Sequence, residues 1–273
     1  MTGGFSGGVA IVTGAASGLG RALVIELARR GAIAVAADID EAGAQATVDT
    51  ARAAGGRAEA VVLDVTRADD VEALVADAIA RHGRLDYLFN NAGIAVGGEV
   101  HELSLEHWRR ILDVNLLGPI HGVHAAYPRM VRNSRGHIVN IASLAGLCAY
   151  PTMAPYAATK FALVGLSLSL RAEAEAFGVR VSVVCPGFVQ TGIYEAATVV
   201  NADRMKLFAR LPFAPMDAAR AARRIVDGVA RNEAVIVFPF YARALWWLSR
   251  ISAALVRPLQ RRAAAEFRSA RLP

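Results

Sequence analysis

The sequence predicts an α/β fold, a single doubly wound parallel sheet with helices on both faces. Three observations carry that reading. Short apolar runs alternate with helical patterns along most of the chain, the runs are apolar nearly throughout rather than at every second residue, and the first run ends in a glycine-rich turn. Strands that are apolar on both faces belong to parallel sheets covered by helices on each side.

In chain order, Val9–Thr13 reads as the first strand and is followed by a helical pattern through Arg30. Ile33–Ala37 precedes a helix near 41–53, and Ala58–Leu63 precedes one near 68–81. Leu85–Phe89, His137–Ile141, Val179–Cys185 and Ala234–Phe238 continue the strands, with helical stretches near 105–131, 154–176 and 217–230 between them. Ligands of such sheets bind at the carboxyl ends of the strands. Two segments break the alternation. Residues 188–216 form a long connection expected to act as a substrate lid, and 240–273 form an Arg-rich helical appendage. The expected division is therefore a catalytic domain over 1–239 and a basic amphipathic tail over 240–273.

The 273 residues, 55% of them hydrophobic, can bury a large core without disulfide or metal staples. Cys148 and Cys185 show neither pairing nor ligand spacing, which fits a reducing, cytoplasmic setting. Met1–Gly8 is short and uncharged, unlike a secretion signal, and no run of about 18 apolar residues predicts a spanning helix. Residues 240–273 hold seven arginines and one acid, and their balance of +6 equals that of the whole chain. The excess of positive charge belongs to the tail, so nucleic-acid binding is not expected.

The turn after the first strand, Thr13-Gly14-Ala15-Ala16-Ser17-Gly18-Leu19-Gly20, removes side chains where a phosphate would approach backbone N–H groups and a helix N-terminus. Asp38 ends the second strand, 18 residues after Gly20, where a carboxylate accepts from ribose hydroxyls and repels a 2′-phosphate. That favours NAD over NADP. Arg21 is the opposing feature, though it enters the helix and is expected to face solvent. Asp64-Val65 follows the third strand and suits the adenine edge; Asn90-Asn91-Ala92-Gly93 follows the fourth.

Tyr156 and Lys160 stand four residues apart, on one face of a helix. A phenol with a pKa of about 10 is a poor acid or base near neutrality, and a neighbouring ammonium is expected to lower it. Ser143 upstream would hydrogen-bond a substrate oxygen.

With these residues in hand, the chain resembles the short-chain dehydrogenase/reductase family, whose Rossmann-type fold and motif order it follows over about residues 7–240. Thr13–Gly20, Asp64, Asn90–Gly93, Asn115, Ser143, Tyr156, Lys160, Pro186-Gly187 and Thr191 carry the likeness. The resemblance implies hydride transfer to or from a carbonyl with Tyr156 as acid/base and Lys160 also holding the nicotinamide ribose. It implies that Asn115 places a relay water, and that Pro186, Gly187, Val189 and Thr191 flank the nicotinamide. It also implies a homodimer or homotetramer.

The expected substrate pocket includes Ser143, Leu144, Cys148, Tyr150, Pro151, Tyr156, Phe188, Ile193 and Tyr194, with Val199, Val200, Leu207, Phe208 and Phe213 from the lid. These are mostly apolar, which favours a lipophilic secondary alcohol or ketone. His121 and His124 lack nearby acidic or thiol ligands, Pro119 and Gly122 are expected to disturb their helix, and no metal site is assigned. In the tail, Arg243, Arg250 and Arg257 recur every seven residues beside Trp246, Trp247, Leu248 and Ile251, and Pro258 is expected to end or kink the helix. Residues 240–262 suit either a membrane interface or a second subunit. The tail also resembles, more loosely, those of family members that act on steroids or retinoids. An NADP-dependent ketoreductase and a non-catalytic NAD(H)-binding scaffold are the competing readings.

Overall fold

A computed structural model describes residues 4–209 and 213–272, apart from the side chain of Phe208. Seven parallel strands form the central sheet in the order β3-β2-β1-β4-β6-β7-β9. They are β1 (Val9–Thr13), β2 (Ile33–Asp38), β3 (Arg57–Val62), β4 (Tyr87–Asn90), β6 (Gly136–Ile141), β7 (Val179–Pro186) and β9 (Val235–Phe238). The main helices are α1 (Gly18–Arg29), α2 (Glu41–Ala53), α3 (Ala68–His82), α4 (Leu105–Leu112), α5 (Gly118–Arg132), α6 (Ala154–Ala174) and α8 (Ala218–Ala230).

Every residue of β1 is buried. One core packs Val12, Phe89 and Ile236 against Leu23 and Leu27 of α1 and Ile225 of α8. The opposite face packs Ile11, Leu88 and Ile138 against Leu74 of α3, Met130 of α5 and Leu170 of α6. Each such aliphatic side chain contributes about 1.5–3 kcal/mol on burial. The caps expected of polar residues are present: Asp40 accepts the Gly43 N–H at 3.0 Å to start α2, and Asp217 accepts the Arg220 N–H at 2.8 Å to start α8.

The order β2-β1-β4 creates the switch point. The chain moves outward from β1 through β2 to β3, then crosses back to place β4 on the other side of β1. Helices leaving β1 and β4 part there, and a crevice opens at the carboxyl ends of the strands.

Three local expectations need correction. The helix expected over 105–131 runs from Leu105 to Arg132 but carries a π-turn at Asp113–Leu117; Pro119 follows that turn directly, and Gly122 does not interrupt α5. The strand expected at Leu85 begins at Tyr87; Asp86 just before it bonds Val9 and His137 through its backbone, and its carboxylate accepts the Val9 N–H at 2.9 Å and is held by Arg84 and Arg135. The long connection over 188–216 carries elements of its own: β8 (Thr198–Val199) pairs with β5 (Val96–Gly97), and α7 (Arg204–Phe208) follows. Arg210, a charged residue of the expected lid, lies outside the described residues.

The tail folds as α9 (Phe240–Ile251) and α10 (Ala253–Ser269). The break falls at Ser252, in extended conformation with φ −161°, whose hydroxyl accepts the Ala254 N–H at 3.2 Å and caps α10. Pro258 lies inside α10 instead of ending a helix. Arg257 therefore sits on a different helix from Arg243 and Arg250, and the expected single stripe is divided.

Candidate active site

A cleft of about 970 Å³ runs from the end of β2 across the tops of β1 and β4 to the tail helices. Gly14, Ser17, Gly18, Leu19, Gly20, Asp38, Asp64, Val65, Asn91, Ala92 and Gly93 line its first half. Gly14 and Gly18 have φ of +66° and +52°, a conformation that favours glycine. A Cβ on Gly14 would lie 2.7 Å from Ala92 Cα, and one on Gly18 would lie 2.9 Å from Thr191 Cβ. A Cβ on Gly20 would meet the Gly14 carbonyl directly. The turn is thus a bare backbone cradle at the start of α1, of the kind a dinucleotide pyrophosphate requires.

Its surroundings are tied together by side chains. Asn91 Nδ2 donates to the carbonyls of Thr13 at 2.8 Å and Gly14 at 3.1 Å, and Thr13 Oγ1 accepts the N–H groups of Asn91 and Ala92 at 3.0 Å. Asp38 accepts the Ala16 N–H at 2.8 Å and the Asp40 N–H at 3.0 Å, so its carboxylate is fixed at the cleft wall. Arg21, expected in solvent, is instead partly buried: its guanidinium donates to Thr47 Oγ1 at 3.1 Å and to the Ala16 carbonyl at 2.6 Å. Asp64 accepts from the Thr66 N–H and hydroxyl at 2.9 and 2.7 Å. His121, on α5, donates from Nδ1 to the Val65 carbonyl at 3.0 Å. That ring braces the nucleotide half of the cleft, a role its sequence spacing did not show.

Ser143, Tyr156 and Lys160 meet in the middle of the cleft. Ser143 follows β6; its hydroxyl accepts the Ala145 N–H at 3.1 Å and is hydrogen-bonded to Tyr156. Tyr156 and Lys160 share one face of α6, with Nζ 5.5 Å from the ring centroid. Lys160 is almost wholly buried and donates to the Ile141 carbonyl at 2.9 Å.

The expected lowering of the phenol by Lys160 does not hold for the protein alone. Burial pushes Tyr156 above its ordinary value, and the Ser143 hydrogen bond pulls it back only in part. Burial acts on Lys160 as well, lowering it from 10.5 to about 8. The same apolar surroundings disfavour both charges.

Asn115, of the four expected catalytic residues, is the one that does not line the cleft. It lies buried in the π-turn, where Oδ1 accepts the Ile94 N–H at 2.8 Å and Nδ2 donates to the Ile94 carbonyl at 2.9 Å. Its amide clamps the segment after β4 beside Lys160. A second buried chain was not legible beforehand: Asn90 donates to Asn140 Oδ1 at 2.8 Å, and Asn140 donates to Ser167 Oγ at 2.9 Å. It links β4, β6 and α6 beneath the Ser143–Tyr156–Lys160 group.

Pro186, Gly187, Phe188, Val189 and Thr191 form the far wall, and Cys148, Tyr150, Ile193 and Tyr194 extend it. The wall omits Pro151 and also Val200, which packs near Gly98. Burial keeps the Cys148 and Cys185 thiols protonated, Cys185 being pushed up to about 12. The end of the cleft is built by residues that sequence reasoning placed in a separate appendage: Tyr241, Leu245, Val256, Gln260, Glu266 and Phe267. Arg268 and Arg271 hold this wall shut by pairing with Glu99 and Glu102. Gln260 donates to the Ala149 carbonyl at 2.8 Å. The Glu99–His101–Glu102 group is thus taken up by two arginines.

Comparison with known proteins gives a consistent picture. Residues 8–199 match the short chain dehydrogenase family. A Mycobacterium tuberculosis protein named as the oxidoreductase SadH is 36% identical over 268 residues, covering 96% of this chain and 97% of its own. Cyclohexanol dehydrogenase of Acinetobacter sp. is 37% identical over 207 residues, 74% of this chain and 82% of its own. A Burkholderia phymatum short chain dehydrogenase/reductase solved with NAD superposes at a TM-score of 0.83 with 34% identity, covering 89% of this chain and 93% of that one. A metagenomic short-chain oxidoreductase solved with NADP superposes at 0.64 with 39% identity, covering 67% and 83%.

Proposed function

The chain belongs to the short-chain dehydrogenase family and is an NAD(P)-dependent oxidoreductase; from that premise we propose that it moves a hydride between NAD(H) and a lipophilic secondary alcohol or ketone, with Tyr156 as acid/base. The observation that carries the proposal is the convergence of Ser143, Tyr156 and Lys160 between a bare glycine cradle on one side and an apolar wall on the other. A dinucleotide whose pyrophosphate occupied that cradle would give or take the hydride through its nicotinamide ring.

The remaining work falls to side chains. The phenol of Tyr156 gives its proton to the carbonyl oxygen in reduction, and its phenolate takes the alcohol proton in oxidation; the raised pKa of the protein alone favours the donor form. Ser143 holds the same substrate oxygen. Lys160, anchored on Ile141, would give its remaining N–H groups to the ribose hydroxyls. Asn115 is a positioning residue that acts through Ile94. Thr191, packed over Gly18, would hold the carboxamide.

Asp38 supports NAD over NADP. Its carboxylate stands at the cleft wall where the adenosine ribose would lie, while Arg21, the nearest candidate for a 2′-phosphate, is turned away onto Ala16 and Thr47. The apolar substrate class is supported by the aromatic cluster of Phe188, Tyr194, Phe213 and Tyr241 at the far end. The named substrate of the Acinetobacter relative, cyclohexanol, is of that class.

The test is NADH formation across a panel of cyclic, aliphatic and carboxylate-bearing secondary alcohols. The proposal expects kcat/KM to rise with apolar size and to be higher with NAD than with NADP. Turnover confined to charged alcohols, or to NADP, would reverse it.

A further inference from the structure

The tail helices use two faces. Inward, Leu245, Val256 and Phe267 wall the cleft. Outward, Phe240 is 84% exposed, Trp247 58% and Ile251 74%, and Leu255 and Leu259 continue the apolar row onto α10 at 49% and 52%. Isolated exposed apolar residues are ordinary; five large ones along two consecutive helices mark a contact surface.

Arg243 and Arg250 lie within a turn of that row on α9, and Arg257 and Arg261 lie across α10 from Leu255 and Leu259. Arg243, Arg250, Arg257 and Arg261 are all exposed, and among the described residues none of them makes an ion pair. Arg250 lies 5.7 Å from the Trp246 ring centroid. The acids of this region are already used: Glu266 pairs with Arg262, and Glu99 and Glu102 pair with Arg268 and Arg271. No acidic residue occurs between positions 240 and 265.

We propose that the outer face of α9 and α10 docks on an anionic lipid surface. Its charge decides between the two occupants open to it. A twofold contact with a second copy would set unpaired arginines near one another with no carboxylate to meet them. A bilayer interface offers an acyl boundary for Trp247 and Ile251 and lipid phosphates for the guanidinium groups. No described helix is long and apolar enough to cross a membrane, so the helices lie along the surface. Leu259 belongs to both faces, lining the cleft while half exposed. The cleft mouth therefore borders the docked surface, and an apolar alcohol dissolved in lipid has a short path to Tyr156. That last consequence rests on the proposed function; the docking does not.

The experiment is flotation of the full chain with phosphatidylcholine vesicles, with and without phosphatidylserine, at low and high salt. Co-flotation is expected only with phosphatidylserine and should weaken with salt. Replacing Arg243, Arg250 and Arg257 together by Gln is expected to weaken partitioning about 100-fold, from roughly 1 kcal/mol per arginine. Trp247→Ser with Ile251→Ser is expected to weaken flotation while leaving the sedimentation mass and the turnover of a small water-soluble alcohol unchanged. No flotation of the parent protein, or equal flotation of the Gln variant, would overturn the proposal. A fall in sedimentation mass in the double Ser variant would assign the face to a second subunit instead. Flotation requires no turnover, so its failure leaves the reading of the active site intact.

Discussion

The hydroxyl of Tyr241 accepts the backbone N–H of Phe188 at 2.7 Å, joining the first turn of α9 to the start of the lid. The same ring stacks on Phe213 with centroids 3.9 Å apart and planes 7° apart, and it lies close over Gly187. One side chain thus fixes three parts of the cleft wall: the end of β7, the lid and the tail.

Tyr241→Phe keeps the stacking and removes the acceptor, leaving the Phe188 N–H without its partner. A lost hydrogen bond of about 1 kcal/mol corresponds to about a fivefold change. KM for an apolar alcohol is expected to rise by roughly that factor, with kcat little altered, in steady-state assays. Gly187→Ala is expected to do more harm, because the new methyl would lie 2.7 Å from the Tyr241 ring. A fivefold fall in kcat at constant KM would place Tyr241 in the chemical step and not in the wall.

Those contacts show why the two halves of the cleft differed in legibility. The glycine turn and the Tyr156–Lys160 pair are encoded by short spacings, and Asp38 by its place at the end of a strand; local geometry follows directly from such signals. The tail wall depends on contacts such as Cys148 with Ser249 and Arg268 with Glu99, which join residues distant in sequence. No period announces them, and a run of arginines looks like a solvated appendage until its partners are known. Asn115 was found by its place in the motif order, but its π-turn and its clamp on Ile94 were not, because a π-turn leaves no pattern that differs from helix. The break at Ser252 is available from capping chemistry, since Ser before Ala-Ala-Leu is an ordinary helix start; the proline six residues later draws the expectation away.

Tyr156→Phe removes only the phenolic hydroxyl. Loss of a positioned acid/base is expected to lower kcat by about 10²–10⁴-fold. The cradle, Asp38 and Lys160 are untouched, so NADH binding followed by fluorescence titration should stay within about twofold. Retained turnover would show that the proton moves by another route.

Asp38 is the residue on which cofactor choice turns. Asp38→Asn removes the charge that repels a 2′-phosphate and keeps an oxygen for the Ala16 N–H. Adding Ile39→Arg supplies a cation from a neighbouring position on the cleft wall. The double variant is expected to shift the NADP/NAD ratio of kcat/KM by about 30- to 150-fold, the scale of 2–3 kcal/mol from exchanging a repulsive charge for an attractive one. An unchanged ratio would mean that the adenosine ribose lies elsewhere.

Lys160 offers a test that separates stability from catalysis. Its folded pKa of about 8 lies below the ordinary 10.5, so the folded protein resists the charge that the unfolded chain accepts freely. Between about pH 8 and 10.5 the unfolded state holds more protons, and stability due to this residue rises with pH across that window; below it, the penalty is felt in full. A shift of this size corresponds to about 3 kcal/mol at most, and losing the donor to Ile141 offsets about 1 kcal/mol of it. Lys160→Met is therefore expected to raise the Tm of the cofactor-free protein by a few degrees at pH 7, with the gain fading towards pH 10, while turnover is lost. A Tm that falls at pH 7, or a gain that does not change with pH, would show that burying this ammonium carries no such penalty and that Lys160 belongs to the framework as well as to the chemistry.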